Sequence, residues 1–344
     1  MISAEARDKI LAHVEAMRAR GFAVTAAPLS EACARGFFVA PTLIEIGSVS
    51  DLGREVFGPV LHVLRFKREA LPALIDALNA TGYALTGGVH SRIDTTIELV
   101  AKRIAAGNVY VNRNIIGATV GVQPFGGHGL SGTGPKAGGP LYLKRLLLRA
   151  AADWPKLPTG TPSAAAKAFA SFAVRRGDAT LAALCAEIVG ESRLGVSLEL
   201  PGPVGEKNIY ALEPRGAVLC DAADEPSLIA QSACALATGN RALLAGAAAP
   251  ALIAALPEPL RERVAVAALS DRIDAVLTDR DGVALVAFMS DIARRDGPIA
   301  SVFRVSAAGL ERGDPPPLDF LLNERSVCIN TTAAGGNASL MTIG

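Results

Sequence analysis

Residues 107–140 read GNVYVNRNIIGATVGVQPFGGHGLSGTGPKAGGP, a short apolar run followed by a segment dense in glycine. Glycine weakens helices and strands because it loses more backbone entropy on ordering than any other residue. Such a segment is useful where backbone N–H groups must approach a ligand or where a positive φ is required. The alternative is a free surface linker. Against it stand apolar side chains that a linker would not carry: Val120, Val122, Phe125 and Leu130.

The composition of the 344 residues is 50% apolar and 19% charged, with a formal net charge of +1. This length is enough for two domains at roughly 150 residues per domain. The near-zero charge, without a block of Lys and Arg, argues against a nucleic-acid partner. The most apolar region, residues 242–257, is interrupted by Gly246 and Pro250 and is too short to span a bilayer. We therefore expect no membrane span.

The five cysteines are scattered, without a CxxC pair or a Cys/His cluster. This spacing argues against a zinc site and against a disulfide framework. The N-terminal residues MISAEARDKI carry charges of both signs and no apolar core, so the sequence predicts no signal peptide. A reducing cytoplasm is the expected location.

Periodicity in residues 1–150 predicts alternating helices and strands. Helices are predicted over residues 4–20 with Ser3 as N-cap, over 69–80, and from an Asp94 cap to Gly107. Strands are predicted over residues 22–24, 36–46 and 83–91. This order with short connections is typical of an α/β fold with a largely parallel sheet.

The composition changes after residue 149, and residues 151–162 are predicted to be a proline-rich linker. Residues 163–322 are predicted to form a second, Rossmann-like α/β domain. Its predicted helices cover 163–176, 179–189, 226–238, 250–263 and 283–295, and its strands 217–221, 242–245, 264–268, 275–278 and 299–305. Residues 200–203 are interpreted as a turn. No GxGxxG follows the first strand, which argues against a dinucleotide bound by this domain. Residues 324–331 predict a final strand, and composition alone makes the rest a frayed tail.

Residues 55–60, EVFGPV, form the first candidate binding motif. A carboxylate such as Glu55 can accept hydrogen bonds from two ribose hydroxyls, and a ring such as Phe57 can pack on a flat nicotinamide. The alternative is a strand entry with a buried Phe57 and a solvent-facing Glu55. The second motif is the pair Gly117-Ala118, whose backbone N–H groups could bind a carboxylate. A turn without a ligand is the alternative there.

Three sequence motifs, NVYVNRN, PFGG and GLSGTGPKAGGP, resemble the end of the catalytic domain of aldehyde dehydrogenases. The resemblance is closest to the glutamate-semialdehyde dehydrogenase part of the proline utilization A (PutA) family. It implies that Glu55 binds the nicotinamide ribose of NAD and that Phe57 borders the nicotinamide. It also implies that Gly117 and Ala118 grip the α-carboxylate of L-glutamate γ-semialdehyde, while Phe125 packs on its aliphatic part.

The sequence departs from this family at His128, where PutA proteins usually have Glu after PFGG. A lone histidine is more often structural than catalytic, so His128 is given no role.

The catalytic nucleophile of the family is missing from the sequence. Oxidation of an aldehyde in this family needs a Cys thiolate, a Glu base and an Asn in the oxyanion hole. The cysteine of the family lies in a G-Q-R-C-S type motif upstream of E-x-F-G-P, and residues 1–54 contain no such motif. Cys33 precedes Glu55 but is predicted to be structural. No catalytic residue and no metal ligand is assigned.

Two further segments look like the C-terminal domain and the terminal motif of longer PutA proteins. They are LPGPVGEKNIYALEPRGAVLC and ERSVCINTTAAGGNASLMTIG. The resemblance implies that residues 323–344 pack back on the dehydrogenase domain, and that the C-terminal domain helps cover a tunnel for the intermediate, pyrroline-5-carboxylate. It implies that the NAD-phosphate-binding part and the FAD-binding proline dehydrogenase part lie in a missing N-terminal segment. It also implies that the parent enzyme is a homo-oligomer.

The sequence therefore predicts a C-terminal part of a bifunctional enzyme that is inactive alone. One alternative is a non-catalytic docking or oligomerisation module that completes a separate polypeptide. Another is a complete aldehyde dehydrogenase that uses Cys33.

Overall fold

The computed structural model describes residues 1–147, 151, 155–268 and 270–332. The chain divides into two compact units, Met1–Thr81 and Gly82–Gly344. Within the described ranges, every helix falls short of the length and apolar character needed to cross a bilayer.

The unit Met1–Thr81 contains a helix packed on a three-stranded sheet. Its elements are α1 (Ala4–Ala19), β1 (Ala23–Ala26), β2 (Thr42–Ile46), β3 (Val60–Leu64) and α2 (Leu71–Ala80). The predicted first helix and its cap are confirmed, since Ser3 Oγ accepts a hydrogen bond from Ala6 N at 3.2 Å. Val14 and Met17 of α1 pack with Ile44 of β2. β2 pairs antiparallel with β1 and parallel with β3.

The unit Gly82–Gly344 contains two five-stranded sheets and a short two-stranded one. Its first elements are β4 (Tyr83–Ala84), β5 (Thr86–Val89), α3 (Asp94–Arg103), β6 (Asn108–Val111), β7 (His128–Gly129), α4 (Tyr142–Leu146), α5 (Ala164–Arg175), α6 (Ala179–Gly190), β8 (Ser197–Leu200) and β9 (Glu206–Pro214). Those that follow are β10 (Ala217–Asp221), α7 (Glu225–Ala237), β11 (Arg241–Ala245), α8 (Ala249–Ala255), α9 (Glu258–Arg261), β12 (Val264–Val266), β13 (Ala275–Thr278), α10 (Gly282–Ala293), β14 (Ser301–Arg304), α11 (Ala307–Glu311) and β15 (Leu322–Asn330).

The parallel sheet has the strand order β12-β11-β10-β13-β14 and helices on both faces. Val218 and Cys220 of β10 pack with the side chains of α5, α6 and α7 on one face, whereas Leu219 packs with Ile292 of α10 on the other. Burial on both faces explains the continuous apolar runs of these strands. The predicted α/β class with a Rossmann-like second part is confirmed.

The mixed sheet has the order β5-β6-β15-β9-β8. β15 lies parallel to β6 and antiparallel to β9, so that Val327 is opposite Val109 on one side and Ile209 on the other. The last predicted strand therefore joins strands that are distant in sequence. The predicted domain boundaries at residues 150, 162 and 322 stay predictions. Most of the predicted tail, residues 333–344, lies outside the described residues.

Several predicted elements differ from the structure. The turn predicted at residues 200–203 connects two strands, β8 and β9, that the sequence analysis missed. The helix predicted over 250–263 is two helices, because Pro257 lacks the N–H that a continuous helix needs. Asp94 is the first residue of α3 rather than its N-cap, and α3 ends at Arg103 rather than at Gly107.

Candidate functional site

The loop before β3 carries Glu55 and Phe57. Both side chains are exposed, and the Phe57 ring is 85% exposed. The buried Phe57 of the alternative interpretation is therefore wrong, whereas its solvent-facing Glu55 is observed. Among the described residues the Glu55 carboxylate has no hydrogen-bond or ion-pair partner. Gly58 approaches α1 closely, because an added Cβ would lie 2.3 Å from Ile10 Cδ1. This glycine lets the loop backbone lie close to the helix, while the carboxylate and the ring stay exposed.

The segment after β6 carries the Gly117-Ala118 pair. Gly117 has a φ of +78°, and an added Cβ would meet no atom within 4 Å. The turn before it is fixed by Ile116 N, which donates to Asn114 Oδ1 at 3.2 Å. Among the described residues, neither Gly117 N nor Ala118 N donates a hydrogen bond. Two adjacent N–H groups are therefore unpaired in a glycine turn, a geometry that can bind an anion.

Gln123 holds this segment against β9. The side chain is 3% exposed. Its Nε2 donates to Glu206 Oε2 at 3.0 Å and to Asn208 Oδ1 at 3.2 Å. Its Oε1 accepts from Thr119 N at 3.1 Å, the residue directly after Ala118. One buried amide therefore links the Gly117-Ala118 turn to a strand of the mixed sheet.

Arg113 fixes the other end of the same segment on the same carboxylate. Its Nη1 donates to Glu206 Oε1 at 2.7 Å and contacts Cys328 Sγ of β15 at 3.1 Å. The guanidinium also lies over the Tyr110 ring, 5.2 Å from its centroid. The two oxygens of Glu206 thus hold residues 113 and 123, and we call this arrangement the Glu206 clamp.

Replacing Gln123 by leucine is expected to loosen the turn. The change removes the acceptor of Thr119 N, and one such hydrogen bond stabilises by about 1 kcal/mol. We expect hydrogen exchange at the Thr119 amide to accelerate about fivefold, while the amides of β6 serve as internal reference. Unchanged exchange at Thr119 would contradict the role of the clamp.

Phe125 lies further along the same segment. It pairs with Ala137 through two backbone hydrogen bonds of 3.0 and 2.9 Å, and its side chain is half-buried. Gly117, Ala118 and Phe125 therefore share one segment of the unit Gly82–Gly344, whereas Glu55 and Phe57 belong to the unit Met1–Thr81. The binding roles of all five stay predictions.

A buried ionic network fixes the end of the glycine-rich segment. Lys136 N donates to Glu324 Oε2 at 2.5 Å, and Tyr210 OH donates to Glu324 Oε1 at 2.8 Å. Lys136 Nζ donates to Asn108 Oδ1 at 2.8 Å and to the carbonyl of Gly126. Burial lowers the pKa of Lys136 to about 8 and raises the pKa of Glu324. The network joins the loop to β6, β9 and β15.

Sequence reasoning missed both the clamp and this network. Burial alternates along β9 in the structure, since Asn208, Tyr210 and Leu212 are buried while their neighbours are less so. The residues EKNIYALE do not alternate between apolar and polar types, so this strand was not visible in the sequence. One of its two partner strands, β15, is far away in sequence, and no local sequence pattern predicts that pairing. The described residues contain no group of three or more side chains suited to holding a metal ion.

His128 is largely buried in β7, where burial and the nearby cations Lys136 and Arg215 lower its pKa to about 4. The unfolded chain binds a proton at the ordinary pKa of about 6.5, so between these values the unfolded state holds more protons. Stability should therefore fall as the pH drops from about 6.5 to about 4, by up to about 3 kcal/mol.

The replacement His128→Gln should flatten this part of the stability profile, measured by urea unfolding at several pH values. The variant His90→Gln at an exposed site is the matched control. If both variants keep the slope of the original chain, His128 does not cause it.

Comparison with known proteins shows which family the chain is similar to. The aldehyde dehydrogenase family model matches residues 1–149. The bifunctional protein PutA of Rhizobium meliloti is 46% identical over 349 residues, covering 100% of this chain and 28% of that protein. The 1-pyrroline-5-carboxylate dehydrogenase of Geobacillus sp. (strain WCH70) is 37% identical over 145 residues, covering 42% of this chain and 27% of that protein.

Among solved structures, PutA from Corynebacterium freiburgense matches 96% of this chain with a TM-score of 0.65 and 22% identity, covering 31% of that chain. This match supports the fold. The chain spans less than a third of the length of these PutA relatives. Residues 1–149 carry part of an aldehyde dehydrogenase domain, and the chain belongs to the PutA-like proteins as their C-terminal portion.

Proposed function

We propose that this chain forms the part of a bifunctional proline-catabolic enzyme that holds L-glutamate γ-semialdehyde for NAD-dependent oxidation to L-glutamate. The observation that carries the proposal is the Gly117-Ala118 turn. Its two N–H groups have no partner in the part of the chain that the structure describes, and the Glu206 clamp fixes its position. The relatives named PutA and 1-pyrroline-5-carboxylate dehydrogenase support this substrate class.

The turn would bind the α-carboxylate of the substrate. Backbone N–H groups are donors fixed by the fold, so they bind a carboxylate without ordering a flexible side chain. Phe125 would pack on the methylene groups between the carboxylate and the aldehyde. The substrate would thus be held by its unreactive end, which leaves the aldehyde carbon for chemistry at the other end.

The exposed loop of the first unit would bind the cofactor. The Glu55 carboxylate is unpartnered among the described residues and the Phe57 face is open, which fits a ribose diol and a flat ring. When bound, NAD⁺ supplies the hydride acceptor. Glu55 would orient the ribose through two accepted hydrogen bonds, and Phe57 would border the nicotinamide.

The attacking thiolate would come from polypeptide that is not part of this chain. Cys33 is half-buried in a short 3-10 helix, and its Sγ contacts Ser30 Oγ at 3.6 Å. The other four cysteines are buried. Burial raises the pKa of Cys185 to about 12 and also raises the pKa of Cys328, which disfavours the reactive thiolate. The FAD-dependent step would likewise lie in the missing N-terminal part.

The experiment joins this chain to the upstream sequence of the Rhizobium meliloti relative, which is expected to supply the cysteine motif. We expect NADH to form from NAD⁺ and the semialdehyde in the continuous polypeptide, and Glu55→Gln to raise the KM for NAD⁺. Activity restored equally by mixing two separate polypeptides would favour the docking module. A continuous, folded polypeptide without NADH formation would contradict the proposal.

A further inference from the structure

A basic cleft lies in the unit Gly82–Gly344, and its lining includes none of the residues assigned to substrate or NAD. Its volume is about 730 Å³, in the range of small-molecule sites. The end of α3, the turn between β9 and β10, the first residue of β11 and part of β15 line it. The lining includes seven cationic side chains and three carboxylates, although the whole chain has a formal net charge of only +1.

The three carboxylates of the lining already have partners. Glu213 accepts from Arg325 Nη1 at 3.1 and 3.3 Å. Asp274 accepts from Arg272 Nε at 2.9 Å and from Ala217 N at 2.9 Å. Asp271 accepts from the backbone N of residue 268 at 2.7 Å. These contacts neutralise at most a part of the positive charge in the cleft.

Two further arginines of the lining, Arg215 and Arg263, face neutral groups. Arg215 donates to the carbonyls of Thr133 at 2.8 Å and Leu322 at 3.3 Å, and Arg263 donates to the carbonyl of Gly239. Carbonyl oxygens satisfy the N–H groups but carry no formal charge, so the positive charge persists. Stabilising these carbonyls explains why Arg215 and Arg263 are present.

That structural role does not explain Arg241. It is the first residue of β11, and its exposed side chain has no hydrogen-bond or ion-pair partner among the described residues. Arg272 is also largely exposed, and it forms an ion pair with Asp274.

The positive potential acts on His128, which lines the same cleft. After burial, the next causes of its lowered pKa are Lys136, Arg215, Arg325 and Arg272, in that order. Three of these four cations line the cleft. His128 is therefore neutral at neutral pH and adds no charge to the cleft. The excess of cations over carboxylates comes from the lysine and arginine side chains alone.

We propose that this cleft binds a small polyanion that carries at least two phosphate groups. Guanidinium groups present planar pairs of donors that match phosphate oxygens. Two phosphate groups together carry about three to four negative charges. This balances the excess of seven cations over three carboxylates, and one of the cations, Lys102, is already paired with Glu98 outside the lining. A single phosphate leaves part of this excess uncompensated.

The test is calorimetric titration of the 344-residue chain with inorganic pyrophosphate, with inorganic phosphate and citrate as comparison ligands. We expect one pyrophosphate per chain, at least tenfold tighter than phosphate or citrate, and weaker at higher salt because the cleft is open to solvent. Arg241→Gln should weaken binding at least tenfold. Arg294→Gln, at an exposed arginine directly after α10 and outside the cleft, should leave binding unchanged.

Three results would overturn the proposal. They are no binding of pyrophosphate, the same affinity in Arg241→Gln as in the original chain, and citrate binding as tight as pyrophosphate. Circular dichroism checks that the variants fold, and Arg272→Gln provides a second variant that should also weaken binding. No step of the test needs dehydrogenase activity, so it stands or falls independently of the proposed function.

Discussion

Replacing Glu324 by alanine is expected to lower the free energy of unfolding of the unit Gly82–Gly344 by about 3–5 kcal/mol. Glu324 is 7% exposed, and its two oxygens accept from Lys136 N and Tyr210 OH. The change leaves both donors buried without a partner, and it leaves the buried Lys136 ammonium without its nearby carboxylate. Burial already raises the pKa of Glu324, which shows how costly its charged form is.

Two further variants separate the network from general effects. Glu324→Gln keeps the size and one acceptor, so it should cost clearly less than alanine. Glu311→Ala changes an exposed carboxylate at the end of α11 and should cost under about 0.5 kcal/mol. Urea unfolding followed by circular dichroism measures all three. Equal losses for Glu324→Ala and Glu311→Ala would contradict the described network.

Replacing Gly117 by valine is expected to raise the KM for the semialdehyde about 10- to 100-fold in the continuous enzyme. A β-branched residue strongly disfavours the positive φ of Gly117, and such strain costs about 1–3 kcal/mol. The turn would shift to relieve it, and its two N–H groups would no longer converge on a carboxylate. An aldehyde of similar length without a carboxylate should keep its KM within about twofold, because it does not use this turn.

Gly121→Val is the matched control for this prediction. Gly121 has a φ of +79° and open space around an added Cβ, yet it lies outside the proposed carboxylate turn. Its replacement carries a similar backbone strain, so it tests whether any distortion of the loop raises the KM. Equal increases in the two variants, or an equal increase with the uncharged aldehyde, would contradict the assignment of Gly117.

The elements with strong local signals were predictable from sequence. The strands β10 and β13 have the predicted bounds, because both are apolar runs buried on two faces and bordered by polar residues. The first helix was predictable from the Ser3 cap and its apolar face. β8 and β9 were missed because Pro201, Gly202 and Pro203 obscure the short hairpin between them, and because β15, the second partner of β9, is distant in sequence.

The candidate site was predictable only in part. Local sequence motifs indicated Gly117, Ala118 and Phe125 as candidate substrate-binding residues, since a glycine pair and an aromatic residue are visible in the local sequence. The Glu206 clamp was not visible, because Gln123 and Glu206 are 83 positions apart and meet only when β9 joins the mixed sheet. Positioning contacts of this kind depend on long-range strand pairing, which composition and periodicity do not encode.

The central claim is that this chain holds the substrate while the nucleophile lies elsewhere. The most direct measurement is NADH formation by the 344-residue chain alone, supplied with NAD⁺ and L-glutamate γ-semialdehyde. We predict no turnover by the original chain, and none by Cys33→Ala. Steady NADH formation that Cys33→Ala abolishes would contradict the claim and make Cys33 the nucleophile of a complete enzyme.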